Sequence, residues 1–250
     1  MFDFQLVLDE LDKPRLRQPL PELLPSNRGV RARVIPEDQL NKMHRGWFVE
    51  LERRIDFLAE HGIDIGWLYE WAAKYTWSWL ARDMSRNAEL YTSDLRYVDP
   101  TTFGRTIVGL DEFVSYNFAF LDAISDWRYD PFPDQMYIDV TPDGETRMAV
   151  RYMGSGYFDG TLRLYPYDET APALTGTGVF VQAYAVDRYH FTPDGLMYFG
   201  ETLWDFMDMA QSTGLAPRDD SWQFKALMRM SQVPGIIQRV RNRTVLRRRI

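Results

Sequence analysis

Asp99 ends the run Arg96-Tyr97-Val98-Asp99, which alternates like a short strand and stops at Pro100. A carboxylate at a strand end, among aromatic residues, suits one task well: taking a proton from a substrate and returning it. Asp187 is the second acid of interest. On the run 179–191 it shares a face with Val181, Ala183, Ala185 and Tyr189, by the two-residue period of a strand. Small apolar neighbours leave space beside it and little to solvate a charge, so its pKa is expected to rise. Tyr75 shares one helix face with Leu68, Trp71 and Trp79. The histidines His44, His61 and His190 are scattered without metal-ligand spacing. His190 alternates onto the face opposite Asp187. No Gly-rich phosphate loop follows a strand, so nucleotide cofactors are not indicated, and no metal or other cofactor is expected.

The elements that position these residues read clearly from the pattern. Five prolines (Pro14, Pro19, Pro21, Pro25, Pro36) mark residues 1–36 as an extended arm. Pro36-Glu37-Asp38 opens a helix to about Glu60, with Gly62 as its stop. Asp64 caps a second helix to about Arg82, and a short helix at 87–91 precedes the strand ending at Asp99. Gly104 and Gly109 frame a turn before an amphipathic helix over 110–124. Strands follow at 136–140, 146–158, 179–191 and 197–205. Thr141-Pro142-Asp143-Gly144 and Thr192-Pro193-Asp194-Gly195 supply turn chemistry between them. Residues 159–178 read as a longer connection, and 219–232 and 235–243 as helices broken at Pro234. Helices first and long antiparallel strands second describe an α+β fold, with helices packed on one face of a curved sheet.

Composition narrows the class. The chain is 250 residues long, 45% hydrophobic and 15% aromatic, enough for a sizeable core. There is no run of 18 apolar residues and no signal-peptide pattern at the start, so an intracellular, cytoplasmic protein is expected. The absence of cysteine excludes disulfides, zinc thiolate sites and thiol nucleophiles. The net charge of −7 is unevenly spread. Residues 225–250 hold eight basic side chains and no acidic one, which leaves −15 on the rest. Such a tail suits an anionic membrane, the acidic body of its own or a partner subunit, or nucleic acid. Nucleic acid is disfavoured because no reading motif or stacking platform accompanies the charge.

Over residues 64–210 the order of these strings resembles the SnoaL-like and ketosteroid-isomerase-like branch of the NTF2-like superfamily. The strings are Tyr97-Val98-Asp99-Pro100, Gly109-Leu110-Asp111-Glu112-Phe113, Val150-Arg151-Tyr152-Met153-Gly154-Ser155-Gly156, Val186-Asp187-Arg188-Tyr189-His190-Phe191 and Asp194-Gly195 followed by Leu203-Trp204-Asp205-Phe206-Met207. The resemblance implies a cone: a curved, mostly antiparallel sheet wrapped around helices, enclosing an apolar cavity. It implies three domains or segments: an N-terminal arm and helix (1–63), the NTF2-like unit (64–215) and a basic helical extension (216–250). It also implies catalytic roles, with Asp99 as base and Tyr75 and a protonated Asp187 as donors to a developing oxyanion. Trp71, Trp79, Val181, Ala183, Ala185, Thr202 and Trp204 are then substrate-binding candidates, and a homodimer is expected.

Each residue also has a structural reading. Tyr75 among tryptophans can be core, Asp99 before Pro100 can be a turn residue, and Asp187 can be bonded to Arg188 or Arg151. The leading functional expectation is a cofactor-independent acid–base enzyme. It would be an isomerase, cyclase or dehydratase-type lyase acting on an apolar steroid-, terpenoid- or polyketide-like carbonyl compound. The alternative is a non-catalytic binding or assembly module, whose cavity Trp71, Trp79 and Trp204 would fill. An epoxide hydrolase is disfavoured: the Arg-x-Asp pair of that group is absent, with Met153 two residues after Arg151 and Thr202 in the later acid position.

Overall fold

The computed structural model describes residues 2–24, 32–102, 104–163 and 170–247. Residues 25–31 of the expected arm, 164–169 of the expected connection, and Arg248 and Arg249 lie outside the described residues. The chain is α+β. Its helices are α1 (Gln5–Leu11), α2 (Glu37–Glu60), α3 (Trp67–Ala81), α4 (Leu110–Ala123), α5 (Phe206–Ser212) and α6 (Trp222–Arg247). Its main strands are β1 (Tyr91–Val98), β2 (Ile107–Val108), β3 (Arg128–Val140), β4 (Thr146–Phe158), β7 (Val179–Phe191) and β8 (Met197–Leu203). They form one sheet in the order β2-β1-β8-β7-β4-β3, antiparallel except for β1 against β8. β5 (Thr161–Arg163) and β6 (Ala173–Thr175) make a separate hairpin.

The sheet's register places the chemistry. Asp187 on β7 faces Val150 on β4 and Thr202 on β8, while Ala185 faces Tyr152 and Ala183 faces Gly154. Because side chains alternate, Asp187, Ala185 and Ala183 point to the same side. That side packs on α3 and α4 through Trp71, Tyr75, Tyr189, Phe191 and Phe113, all buried. Arg82 ends α3 in a left-handed conformation at φ 58°, and Gly62 after α2 takes φ 81°.

Several elements depart from the sequence expectations, among them the β5–β6 hairpin inside the expected 159–178 connection. β3 begins at Arg128 rather than 136. Pro131 and Pro133 suggest a break, but β3 is an edge strand, where a missing N–H costs no ladder bond, and the register shifts between Pro131 and Met136. The last strand stops at Leu203, because Asp205 caps α5 by accepting from the Asp208 N–H at 2.9 Å. α6 runs through Pro234 unbroken. A proline removes one helical hydrogen bond, and here the turns on both sides stay helical. The arm contains α1, whose Val7 and Leu11 are fully buried.

The arm is latched to the sheet by ionic groups. Glu37 at the start of α2 accepts from the backbone of Arg15 (2.8 Å) and Leu16 (3.2 Å) and from the Arg128 guanidinium (2.7 Å). Arg128 also forks onto both oxygens of Asp130 at 2.7 Å. Burial alone would raise the Asp130 pKa, but the adjoining Arg128 charge carries it below the usual carboxylate range. His44 Nδ1 stands 3.3 Å from the same carboxylate, and full burial lowers the imidazole's pKa. Asp126 makes a second latch, accepting from Arg17 N at 3.0 Å and Tyr157 N at 2.6 Å.

Candidate active site

Between the buried side of the sheet and α3, α4 and α5 lies a cavity lined by Asp99, Asp187, Tyr75, Trp79, Thr202 and Trp204, among others. It holds about 110 Å³ reachable by the centre of a water molecule, several waters' worth of room. Trp79 and Trp204 wall this space rather than fill it. Asp99 and Asp187 are the only carboxylic acids among the described lining residues, and no Lys, Arg or His joins them.

Asp187 is 2% exposed, and both its oxygens are engaged. Thr202 Oγ1 donates to Oδ1 at 2.8 Å and the Tyr189 hydroxyl donates to Oδ2 at 2.5 Å. The network extends further, because the Tyr97 hydroxyl bonds Thr202 Oγ1 and the Tyr75 and Tyr189 hydroxyls lie 3.2 Å apart. The single proton of Tyr189 serves Asp187 when that acid is ionised, so Tyr75 then donates to Tyr189. Burial pushes the Asp187 pKa up to about 7, against partial relief from Tyr189 and Thr202, and the Asp99 charge adds to the rise. Burial likewise raises the phenol pKa of Tyr75, Tyr97 and Tyr189, which keeps these groups as donors.

Asp99 sits in the turn after β1, 3% exposed. Its Oδ1 accepts the Thr101 N–H at 2.7 Å and the Thr101 hydroxyl, and its Oδ2 accepts the Trp204 indole N–H at 3.2 Å. The turn role expected of an aspartate before proline is therefore present, and the same carboxylate lines the cavity. Burial raises its pKa, while the Thr101 and Trp204 donors lower it.

The two acids differ in the kind of partner they have. A backbone N–H and an indole N–H can only donate, so two of the Asp99 contacts favour the anion. Both Asp187 partners are hydroxyls, which donate to an anion and equally accept from a neutral acid. This asymmetry suits a charged Asp99 beside a protonated Asp187.

Of the expected substrate-binding residues, Trp79, Val181, Ala183, Ala185, Thr202 and Trp204 line the cavity. Trp71 does not. It stacks behind Tyr75 at 5.0 Å and donates its indole N–H to Leu90 O at 3.0 Å, so it is core that fixes the Tyr75 ring. The arginine partners considered for Asp187 are elsewhere. Arg188 pairs with Glu201 at 2.8 Å, and Arg151 bonds Gln135 at 2.7 Å and lies over Tyr184. His190 bonds Glu145 at 2.7 Å, away from Asp187.

Several lining residues escape the sequence pattern. Tyr97 and Thr101 flank Asp99 at two residues on either side, a spacing that strand alternation and the turn could have supplied. Tyr116 falls one helical turn after Phe113 on α4. Phe206, Met209, Ala210, Thr213 and Leu215 form an apolar lid from α5 and the turn after it, hidden because the strand pattern continues to 205. Trp127 has no periodic signal. The Cη2 tip of its indole points at Gly154, where an added Cβ would stand 2.1 Å away, and the ring packs edge-on to Phe120 at 4.7 Å.

Among the described residues no helix is long and apolar enough to cross a membrane. No family model matches the chain, and no curated protein matches its sequence. Solved structures similar to it include NTF2-like and SnoaL-like proteins. One is an epoxide hydrolase/cyclase-like enzyme, SalBIII, of pyran ring formation in the polyether salinomycin, 17% identical over 56% of this chain and 91% of that one, with a TM-score of 0.40. Another is an NTF2-like protein of unknown function from Burkholderia pseudomallei, 16% identical over 54% and 88%, with a TM-score of 0.38. A third is a protein assigned as a SnoaL-like polyketide cyclase from Shewanella putrefaciens, 14% identical over 58% and 84%, with a TM-score of 0.40.

Proposed function

We propose that this cavity is the active site of a cofactor-independent acid–base enzyme that moves a proton beside a carbonyl group. The observation that carries this reading is the pair of buried acids with opposite hydrogen-bond surroundings in a chamber whose other described lining residues are uncharged. Ionised Asp99 takes a proton from the carbon next to the carbonyl. The electron pair left behind moves onto the carbonyl oxygen, where neutral Asp187 and the Tyr75 hydroxyl supply hydrogen bonds. Asp99 then returns the proton to carbon, which gives isomerisation, or the enolate attacks or expels a group within the substrate, which gives cyclisation or elimination. The apolar, aromatic wall suits an apolar ring compound. A guest of steroid, terpenoid or polyketide size requires the wall to open, since about 110 Å³ is below the roughly 300 Å³ of an ordinary ligand pocket.

A bicyclic ketone such as 2-tetralone, in deuterated buffer, tests the first step without knowledge of the natural substrate. The protein should speed deuterium incorporation beside the carbonyl at pH 7, and Asp99→Asn should lower that rate by roughly 100-fold or more. Exchange no faster than in buffer, or equally fast in Asp99→Asn and Asp187→Ala, would sink the reading.

A further inference from the structure

The reaction leaves α6 unused, and α6 has an unusual surface. It is a 26-residue helix, about 39 Å long at 1.5 Å per residue, and no other element packs along it among the described residues. Trp222, Ala226, Met230, Val233 and Ile237 recur at steps of four, four, three and four, which places them in one strip along the helix. Four of them are large and exposed: Trp222 at 73%, Met230 at 68%, Ile237 at 61% and Val233 at 49%. At 3.6 residues per turn, Arg229 and Arg241 fall on the two borders of this strip, Lys225 lies just outside Arg229, and Arg239 falls on the far side. No acidic residue occurs from Ser221 onward.

We infer that α6 lies along an anionic lipid surface, with the Trp222–Ile237 strip among the acyl chains and the flanking cations among the phosphates. The charge pattern favours lipid over a second copy of this chain. A second copy's acidic body would engage the basic residues and leave the apolar strip in water. Two α6 helices packed strip to strip would bring the bordering arginines of like charge together. A bilayer surface accepts both, since long basic side chains reach the headgroups from the edges of a buried apolar strip. The helix is not apolar enough to cross, so it would lie in the plane of the interface. The lid of the cavity, α5 and the turn to Leu215, is joined to α6 by the short connection 216–221. Docking would thus bring the cavity close to the layer in which apolar compounds dissolve. The inference does not depend on the reaction proposed above.

Full-length protein is sedimented with vesicles of phosphatidylcholine alone and with one-third phosphatidylglycerol, and the lipid-free protein is sized by light scattering. Binding to the anionic vesicles is expected, weaker by at least about tenfold on neutral ones, with Lys225→Gln/Arg229→Gln lowering it by about tenfold. Ile237→Ser should also weaken it, without changing the size of the lipid-free protein. Three results overturn the inference. They are no binding to anionic vesicles, binding unaffected by either variant, or a lipid-free dimer that Ile237→Ser splits, which would assign the strip to a second copy.

Discussion

Thr202 and Trp204, two residues apart at the end of β8, each donate a hydrogen bond to a different acid. Thr202 Oγ1 reaches Asp187 at 2.8 Å and Trp204 Nε1 reaches Asp99 at 3.2 Å. One short stretch of chain thus supplies a donor to each carboxyl group, and each donor lowers a pKa that burial raises.

Thr202→Val keeps the shape and removes the hydroxyl. The Asp187 anion loses a donor, so its pKa should climb above about 7, by on the order of one unit. Carbon-13 NMR of labelled aspartate carboxyls across pH 5 to 9 reads this directly. A pKa that stays or falls would show that Thr202 accepts from a neutral Asp187 more than it donates.

Trp204→Phe removes the indole N–H and keeps an aromatic wall. The Asp99 pKa should rise, because a donor that lowered it is gone. The acidic limb of the exchange rate against pH should then move to higher pH. An unmoved limb would detach Asp99 from the reaction.

The buried acid also makes stability depend on pH. The Asp187 pKa is about 7 in the folded chain against 3.8 as its ordinary value. Between those values the folded protein keeps a proton that the unfolded chain has released. Stability should therefore fall as pH rises from about 4 to about 7, by roughly 4 kcal/mol at most, and level off above. Asp187→Asn cannot ionise and should lose this slope. Urea unfolding of both proteins at pH 5 and pH 8 checks the difference, and parallel changes would count against it.

Tyr75→Phe separates positioning from packing. The hydroxyl makes one bond to Tyr189 at 3.2 Å, so stability should drop by only about 1 kcal/mol. If the phenol binds the reacting oxygen, ketone exchange should slow by roughly 100-fold at an unchanged pH profile. A rate within threefold of the parent would return Tyr75 to the core.

Asp126→Ala tests the arm. Two part-buried backbone N–H groups, of Arg17 and Tyr157, lose their acceptor. The expected cost is roughly 1–2 kcal/mol, read by urea unfolding. A change below about 0.5 kcal/mol would mean that the arm is held elsewhere.

Much of this architecture is legible in the sequence because its signals are local. The α2 and α3 helices follow apolar periodicity with clear stops, and strand alternation alone puts Asp187, Ala185 and Ala183 on one side of β7. What stays hidden depends on distant partners. Pro131 and Pro133 look like breakers until β3 proves to be an edge strand. Trp71 and Trp79 share a helix face, and only the neighbours decide that Trp79 lines the cavity while Trp71 backs Tyr75. Asp205 reads equally well as the last residue of a strand or the cap of a helix, and that ambiguity conceals the lid.

Gly154 has a consequence for how such a chamber could change its clientele. The Trp127 indole rests where that residue's side chain would otherwise begin. Even one methyl group at position 154 would push against the ring, which lines the cavity. The size of molecule admitted is thus controlled in part by an atom that is missing, and a single-carbon mutation offers a short route to smaller guests.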